Sequence, residues 1–138
     1  MRAIINIDGA SHGNPGPAGI GVVIRDEKHK IIANISQAIG RTTNNQAEYR
    51  AIIAALEKAS RLGINEVEMR SDSELVVRQI NGRYRVKNAG LKPLYEKVKL
   101  LQSQMTSFTI THVPREENQE ADNLAGKALR LRSGQALR

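Results

Sequence analysis

The sequence predicts a single α/β domain in which helices pack on a five-stranded mixed sheet, with the element order β-β-β-α-β-α-α-β-α. Three observations carry this prediction. Short apolar runs with a two-residue period recur along the chain, stretches with helical periodicity separate the later ones, and 138 residues suit one core. A right-handed crossover through a helix makes the fourth strand parallel to the first. Functional residues are therefore expected at the carboxyl ends of these strands.

The first three strands are expected to form an antiparallel meander, because the link between the second and third is short and polar. They are predicted over 3–9, 20–25 and 31–38, with a turn-rich loop over 8–19. The first strand alternates between two faces and ends at Asp8. A carboxylate that closes a buried strand is costly unless something compensates its charge.

A helix is expected to open within 41–48 and to run to about Leu62, with Thr43 and Gln46 at capping-box spacing. Its periodicity puts Glu48 on the apolar stripe, one turn from the N-terminus. The alternative is an ordinary glutamate on the surface. The elements that follow are predicted as a strand over 66–71, a helix to residue 80, a helix over 88–105, a strand over 108–112 and a last helix.

Two further acids occupy notable positions in these later elements. Asp72 follows the fourth strand, where Ser71 and Glu74 have the spacing of a second capping box. The alternative for Asp72 is a first-turn acid that complements the helix dipole. Asp122 lies at the edge of the apolar stripe of the last helix.

The charge balance favours an anionic partner. The chain has 21 basic and 14 acidic residues, for a net charge of +7, and no cysteine, which excludes disulfides and thiolate metal sites. No apolar run reaches membrane-spanning length, and the N-terminus has no signal-peptide pattern. We expect a cytoplasmic monomer with no membrane partner, made of a catalytic domain over 1–129 and a flexible basic tail over 130–138.

The four acids Asp8, Glu48, Asp72 and Asp122 would repel one another if they met, and a divalent cation is the usual relief. Oxygen ligands without cysteine or clustered histidine suit Mg²⁺ or Mn²⁺. Two such ions about 4 Å apart can clamp a phosphodiester for in-line displacement. The sequence has neither a Walker-type loop nor a Gly-x-Ser-x-Gly elbow, which argues against a nucleotide triphosphatase and a serine hydrolase.

Several motifs in order along the chain resemble type 1 ribonuclease H, from Met1 to about Leu129. They are Ile7-Asp8-Gly9-Ala10, Asn14-Pro15-Gly16-Pro17, Thr43-Asn44-Asn45-Gln46-Ala47-Glu48, Ser71-Asp72-Ser73 and His112-Val113-Pro114-Arg115-Glu116-Glu117-Asn118-Gln119-Glu120-Ala121-Asp122. The resemblance implies an RNase H-like fold and endonucleolytic cleavage of the RNA strand of RNA–DNA hybrids, leaving 5′-phosphate and 3′-hydroxyl ends. It also implies that the four acids bind two Mg²⁺ ions, with Mn²⁺ as a possible substitute.

The resemblance also assigns substrate contacts. Positions Asn14, Asn44 and Asn45 match residues that contact the hybrid in its minor groove, where amides can bond base edges and 2′-hydroxyls. The positions that match a pocket for a DNA-strand phosphate are Arg41, Thr43 and Asn88.

The chain departs from many members of that family in two places. It has no tryptophan and only a short Gly82-Arg83-Tyr84-Arg85 segment where many bacterial members carry a basic protrusion. Many members also place a histidine that assists product release in the loop before the last helix. Here the Val-Pro-Arg-Glu sequence of that loop favours Arg115 over His112 for this role. Arginine cannot act as a base at neutral pH, so its role would be electrostatic. Double-stranded RNA stays open as a second substrate.

Two alternatives remain beside a hybrid nuclease. A catalytically silent nucleic-acid-binding module would gain nothing from carboxylates that face phosphates. A related exonuclease or DNA-strand transferase would typically carry Asp-x-Glu on the first strand, where this chain has Asp8-Gly9-Ala10.

Overall fold

The computed structural model describes residues 1–133, and residues 134–138 lie outside the described part of the chain. The strands are β1 Arg2–Ser11, β2 Gly16–Arg25, β3 Ile31–Thr42, β4 Glu66–Ser71 and β5 Ser107–His112. The helices are α1 Asn44–Arg61, α2 Glu74–Ile80, α3 Lys92–Ser103 and α4 Gln119–Ser133, with a 3-10 turn at Arg115–Glu117. The predicted element order is confirmed.

The five strands form one mixed sheet in the order β3-β2-β1-β4-β5. The first three strands pair antiparallel, as the meander prediction requires, and β4 lies parallel to β1 and to β5. The predicted loop over 8–19 was too long, because β1 and β2 stay paired as far as Ser11 and Ala18. A composition rich in turn formers shows where a chain is able to turn, but backbone pairing decides where the strands end.

Two helices pack on opposite faces of the sheet. The face that carries Ile5 and Val22 forms the main core with α1. The other face receives α4, and glycine in β2 lets that helix approach closely: a Cβ added to Gly21 would lie 2.1 Å from the carbonyl oxygen of Ala121. Because Gly21 is also the cross-strand partner of Asp8, this close approach brings the start of α4 to the end of β1.

The helix boundaries confirm one capping prediction and correct another. Thr43 and Gln46 form the predicted capping box at the start of α1. The second capping box was wrong, because Ser73 caps α2 by accepting from the backbone N–H of Val76 at 3.4 Å. The hydroxyl of Ser71, which was predicted to be that cap, points elsewhere, as described below.

The third helix begins later than the sequence predicts. The side chain of Asn88 accepts hydrogen bonds from the backbone N–H groups of Gly90 at 2.7 Å and Leu91 at 3.2 Å, which holds a turn before α3. Of the predicted basic tail over 130–138, residues 130–133 belong to α4, and the rest lies outside the described residues. Within residues 1–133, no helix combines the length and apolar character needed to cross a bilayer.

Candidate active site

Three of the four predicted acids meet at the carboxyl ends of β1 and β4. Asp8 lies near the end of β1, Glu48 in the first turns of α1 and Asp72 directly after β4. One carboxylate oxygen from each lies within 4.8 Å of the others. Asp122, in the first turn of α4, lies near Asp8, since it is among the groups that raise the pKa of the Asp8 carboxyl. The structure therefore gathers all four acids, from four different elements, into one cluster.

Glu48 is the best anchored of the four. Its side chain is 3% exposed, and one oxygen accepts a hydrogen bond of 2.7 Å from the backbone N–H of Gly9. The other oxygen accepts a hydrogen bond from the hydroxyl of Ser71. A side chain at position 9 would disrupt this arrangement, because an added Cβ would lie 2.2 Å from the carbonyl carbon of Ala47 and 2.4 Å from its oxygen. Sequence reasoning placed Gly9 in a turn-rich loop and not against α1, and it gave Ser71 the wrong role.

Burial and the charges of neighbouring acids raise the pKa values of Asp8 and Glu48. Burial, followed by the charges of Asp72 and Asp122, raises the pKa of Asp8 from 3.8 to about 7. Burial, followed by the charge of Asp8, raises the pKa of Glu48 from 4.5 to about 8, against the opposing effect of the hydrogen bonds that it accepts. Such carboxylates are poised to exchange protons for a cation near neutral pH.

The donor set fits a hard divalent cation. Among the described residues, the Asp8 Oδ2 atom is buried and accepts no hydrogen bond. A buried carboxylate oxygen without a partner is costly, and a cation removes that cost. All the nearby ligand atoms are oxygens, which suit Mg²⁺ or Mn²⁺ and argue against zinc or copper.

Arg115 and His112, the two candidates for product release, lie in different surroundings. The Arg115 side chain is 77% exposed, and its Nη2 atom lies 3.6 Å from Oδ2 of Asp122. Its positive charge acts on the cluster, since it lowers the pKa of Asp8 against the other influences. His112 ends β5 opposite Ser71 and faces a groove of about 290 Å³.

The predicted minor-groove asparagines lie beside this cluster at the start of α1. The side-chain oxygen of Asn14 accepts from the backbone N–H of Asn44 at 3.0 Å. The side-chain oxygen of Asn44 accepts from the backbone N–H of Ser11 at 2.9 Å and from its hydroxyl at 2.8 Å. Asn14 and Asn44 are exposed, and Asn45 is half-buried in the first turn of α1. Because their oxygens are engaged, Asn14 and Asn44 present amide hydrogens outward.

The residues of the predicted phosphate pocket come from three segments. Arg41 is exposed near the end of β3, and Thr43 caps α1. Asn88 reaches the same area, since a Cβ added to Gly90 would lie 3.1 Å from its Oδ1 and 2.6 Å from Nε2 of Gln46. The structure thus places Asn88 next to the N-terminus of α1.

The connection between α2 and α3 spans only residues 81–91, so the chain has no long protrusion there. Tyr84 is 48% exposed in this connection, and its ring centroid lies 5.4 Å from the guanidinium carbon of Arg78.

Comparison with known proteins agrees with this architecture. Residues 6–128 match the family model described as reverse transcriptase-like. The chain is 46% identical over 130 residues to the bifunctional protein Rv2228c of Mycobacterium tuberculosis, a match that covers 94% of this chain and 36% of that protein. It is 45% identical over 122 residues to ribonuclease HI of Halobacterium salinarum, covering 88% of this chain and 61% of that one. The chain thus spans about a third of the first relative and three fifths of the second.

A solved structure extends the likeness to three dimensions. LC11-RNase H1, isolated from compost by a metagenomic approach, was solved in complex with an RNA/DNA hybrid. It matches with a TM-score of 0.89 and 45% identity over 99% of both chains. The fold and the acidic cluster define an RNase H-like domain. The chain belongs to the reverse transcriptase-like family within that class, with type 1 ribonucleases H among its close relatives.

Proposed function

We propose that this chain is a metal-dependent endoribonuclease that hydrolyses the RNA strand of RNA–DNA hybrids and leaves 5′-phosphate and 3′-hydroxyl ends. The observation that carries the proposal is the convergence of Asp8, Glu48, Asp72 and Asp122 on one site with an unpartnered carboxylate oxygen. The relatives named ribonuclease HI and RNase H1 support the same activity.

The four carboxylates would hold two Mg²⁺ ions, with Mn²⁺ as the substitute. When bound, these ions supply the charge that activates the attacking water and stabilises the leaving 3′-oxygen. The protein's part is to hold the carboxylates in place and to give up the protons that burial retains. Glu48 is held by Gly9 and Ser71 before any metal arrives, so little ordering cost falls on metal binding.

Recognition of the hybrid would fall to the exposed asparagines and the phosphate pocket. Asn14, Asn44 and Asn45 would offer their amides to 2′-hydroxyls and base edges in the minor groove, and the hydrogen bonds that Asn14 and Asn44 accept at the start of α1 support this role. Arg41, Thr43 and Asn88 would bind a phosphate of the DNA strand. The +7 net charge supports binding to a polyanion in general and makes that binding dependent on salt.

Arg115 would assist the release of the product. Its guanidinium lies near Asp122 while most of the side chain stays exposed, so it is free to attract the new 5′-phosphate out of the cluster. This role is electrostatic, because arginine keeps its proton at neutral pH.

The test is digestion of a labelled RNA strand presented in an RNA–DNA hybrid, in double-stranded RNA and alone, with Mg²⁺ or Mn²⁺. We expect internal cuts in the hybrid that end in a 3′-hydroxyl, as judged by extension with a poly(A) polymerase. Asp8→Asn should fold and show no cleavage. Binding of the hybrid without cleavage under all these conditions would favour a silent binding module instead, and cleavage in the presence of a chelator would exclude the metal mechanism.

A further inference from the structure

The sheet opens between β1 and β4 at the place where the acids gather. The parallel pairing of these two strands ends at Asn6 and Arg70. Beyond that point β1 continues beside β2, and β4 continues beside β5 as far as Ser71 and His112. Asp8 and Asp72 follow directly on the two sides of the opening. A side chain that connects the two sides therefore also helps to set the positions of these carboxylates.

The side chain of Asn118 lies at this opening. It is 2% exposed, and its Nδ2 atom donates a 2.9 Å hydrogen bond to the backbone carbonyl of Ile7, one residue before Asp8. Its own backbone lies between two site residues. The N–H donates to the carbonyl of Arg115 at 2.9 Å, and the carbonyl accepts from the N–H of Asp122 at 3.1 Å. Asn118 therefore connects β1 to the segment that carries Arg115 and Asp122.

The buried side chain of Asn118 can donate to the carbonyl of Ile7 only in one orientation of its amide. Rotation of the amide by half a turn would place Oδ1 of Asn118 against the carbonyl of Ile7, two acceptors with no hydrogen between them. The orientation is fixed by Asn6, whose Nδ2 atom donates a 2.9 Å hydrogen bond to Oδ1 of Asn118. Asn6 is 8% exposed and lies on the same face of β1 as Asp8.

We propose that Asn6 is a positioning residue for the carboxylate site: it fixes the amide of Asn118 and, through it, the placement of Asp122 and Arg115 relative to Asp8. The inference rests on the proposed function for its catalytic consequence, but not for its effect on metal binding. An apolar residue at position 6 would leave the buried Oδ1 of Asn118 unsatisfied and the amide held only by the carbonyl of Ile7.

Asn6→Leu is the variant that removes the donor with little change in size. A cavity of about 220 Å³ adjoins Asn6 and is lined in part by Ile4 and Arg25, so the leucine methyl groups have room. Asn6→His is the rescue variant, because its Nδ1 atom occupies the position of the asparagine Nδ2 and the rest of the ring enters the cavity. Ser36→Ala is the matched control, since the Ser36 hydroxyl also bonds the backbone of α4, at the carbonyl of Leu124 and 2.6 Å away.

Three readouts separate positioning from simple stabilisation: kcat and KM on the hybrid, the Kd for Mn²⁺ by calorimetry, and the thermal unfolding midpoint. We expect Asn6→Leu to lower kcat by about tenfold or more, since small misplacements of reacting groups carry losses of that order. The hybrid KM should stay within about twofold, because the substrate contacts are untouched, and the Kd for Mn²⁺ should rise by about fivefold or more. Asn6→His should restore most of the kcat and most of the Mn²⁺ affinity. Ser36→Ala should lower only the unfolding midpoint.

Loss of stability alone in Asn6→Leu, with kcat and the Kd for Mn²⁺ at wild-type values, would overturn the inference. If that variant fails to fold, Asn6→Ala replaces it, because alanine removes the donor and adds no bulk. Wild-type kcat in Asn6→Ala would equally overturn it. If the wild-type protein itself does not cleave the hybrid, the proposed function fails, and the Mn²⁺ affinities of the same variants still decide the role of Asn6.

Discussion

Asparagine in place of Asp8 removes one negative charge from the cluster and keeps the shape of the side chain. Without metal, the pKa of Asp8 rises from 3.8 in a model peptide to about 7 in the folded protein. The folded state therefore holds the proton more tightly than the unfolded state. Stability is greatest below the unfolded pKa and falls as the pH rises from about 4 to about 7. Glu48, with a pKa raised from 4.5 to about 8, extends the decline to about pH 8.

The size of the effect follows from the same shift. A rise in the pKa of Asp8 from 3.8 to about 7 corresponds to at most about 4 kcal/mol, at about 1.4 kcal/mol for each pH unit. Asp72 and Asp122 are only half-buried, so water screens part of their repulsion. We expect Asp8→Asn to raise the free energy of unfolding of the metal-free protein by about 1–3 kcal/mol at about pH 8 and to change it little at about pH 4.

Urea unfolding with a chelator, and again with millimolar Mg²⁺, measures both halves of this prediction. Mg²⁺ should stabilise the wild-type protein strongly and Asp8→Asn weakly, because ligand binding to the folded state adds directly to stability. Glu27→Gln is the control, since Glu27 is an exposed acid in the turn between β2 and β3. The reasoning is refuted if the wild-type protein is as stable as Asp8→Asn at about pH 8 without metal, or if Mg²⁺ stabilises both equally.

Three other variants test the supports of the cluster. Gly9→Ala should lower the free energy of unfolding by about 2 kcal/mol or more in urea titrations, because its Cβ would lie 2.2 Å from the backbone of Ala47; a neutral effect would contradict the packing described. Ser71→Ala removes a hydrogen bond to Glu48, so its pKa should rise further and the pH–rate profile of hybrid cleavage should shift upward, whereas an unmoved profile would argue against the contact. Arg115→Ala should lower steady-state kcat by roughly tenfold with little change in the single-turnover rate constant, and Arg115→Lys should lie between. A loss in the single-turnover rate constant alone would assign Arg115 to the chemical step instead.

The fold and the unusual positions of Asp8 and Glu48 could be predicted from the sequence because both follow from periodicity. Asp8 stands out as a charge that closes an apolar strand, and Glu48 as an acid on the buried stripe of a helix. The βαβ crossover then makes β1 and β4 parallel neighbours, which brings Asp72 to the same edge of the sheet.

The supporting contacts could not be predicted in this way. Ser71 has the spacing of a helix cap, yet its hydroxyl bonds Glu48, and no local pattern encodes a partner on another element. Asn6 and Asn118 are 112 residues apart, and each alone is consistent with an unremarkable polar residue. The lengths of β1 and β2 were missed for the same reason, since pairing between strands is a tertiary property.

The central claim is that acids from four separate elements form one metal site, and X-ray diffraction from crystals soaked in Mn²⁺ tests it most directly. Mn²⁺ scatters anomalously, so its position is found without reference to the protein chain. We predict anomalous peaks about 2.0–2.4 Å from carboxylate oxygens of Asp8 and its neighbours in the cluster, and no peak there in Asp8→Asn. Peaks only at other surface acids, with the cluster empty in the wild-type protein, would contradict the claim.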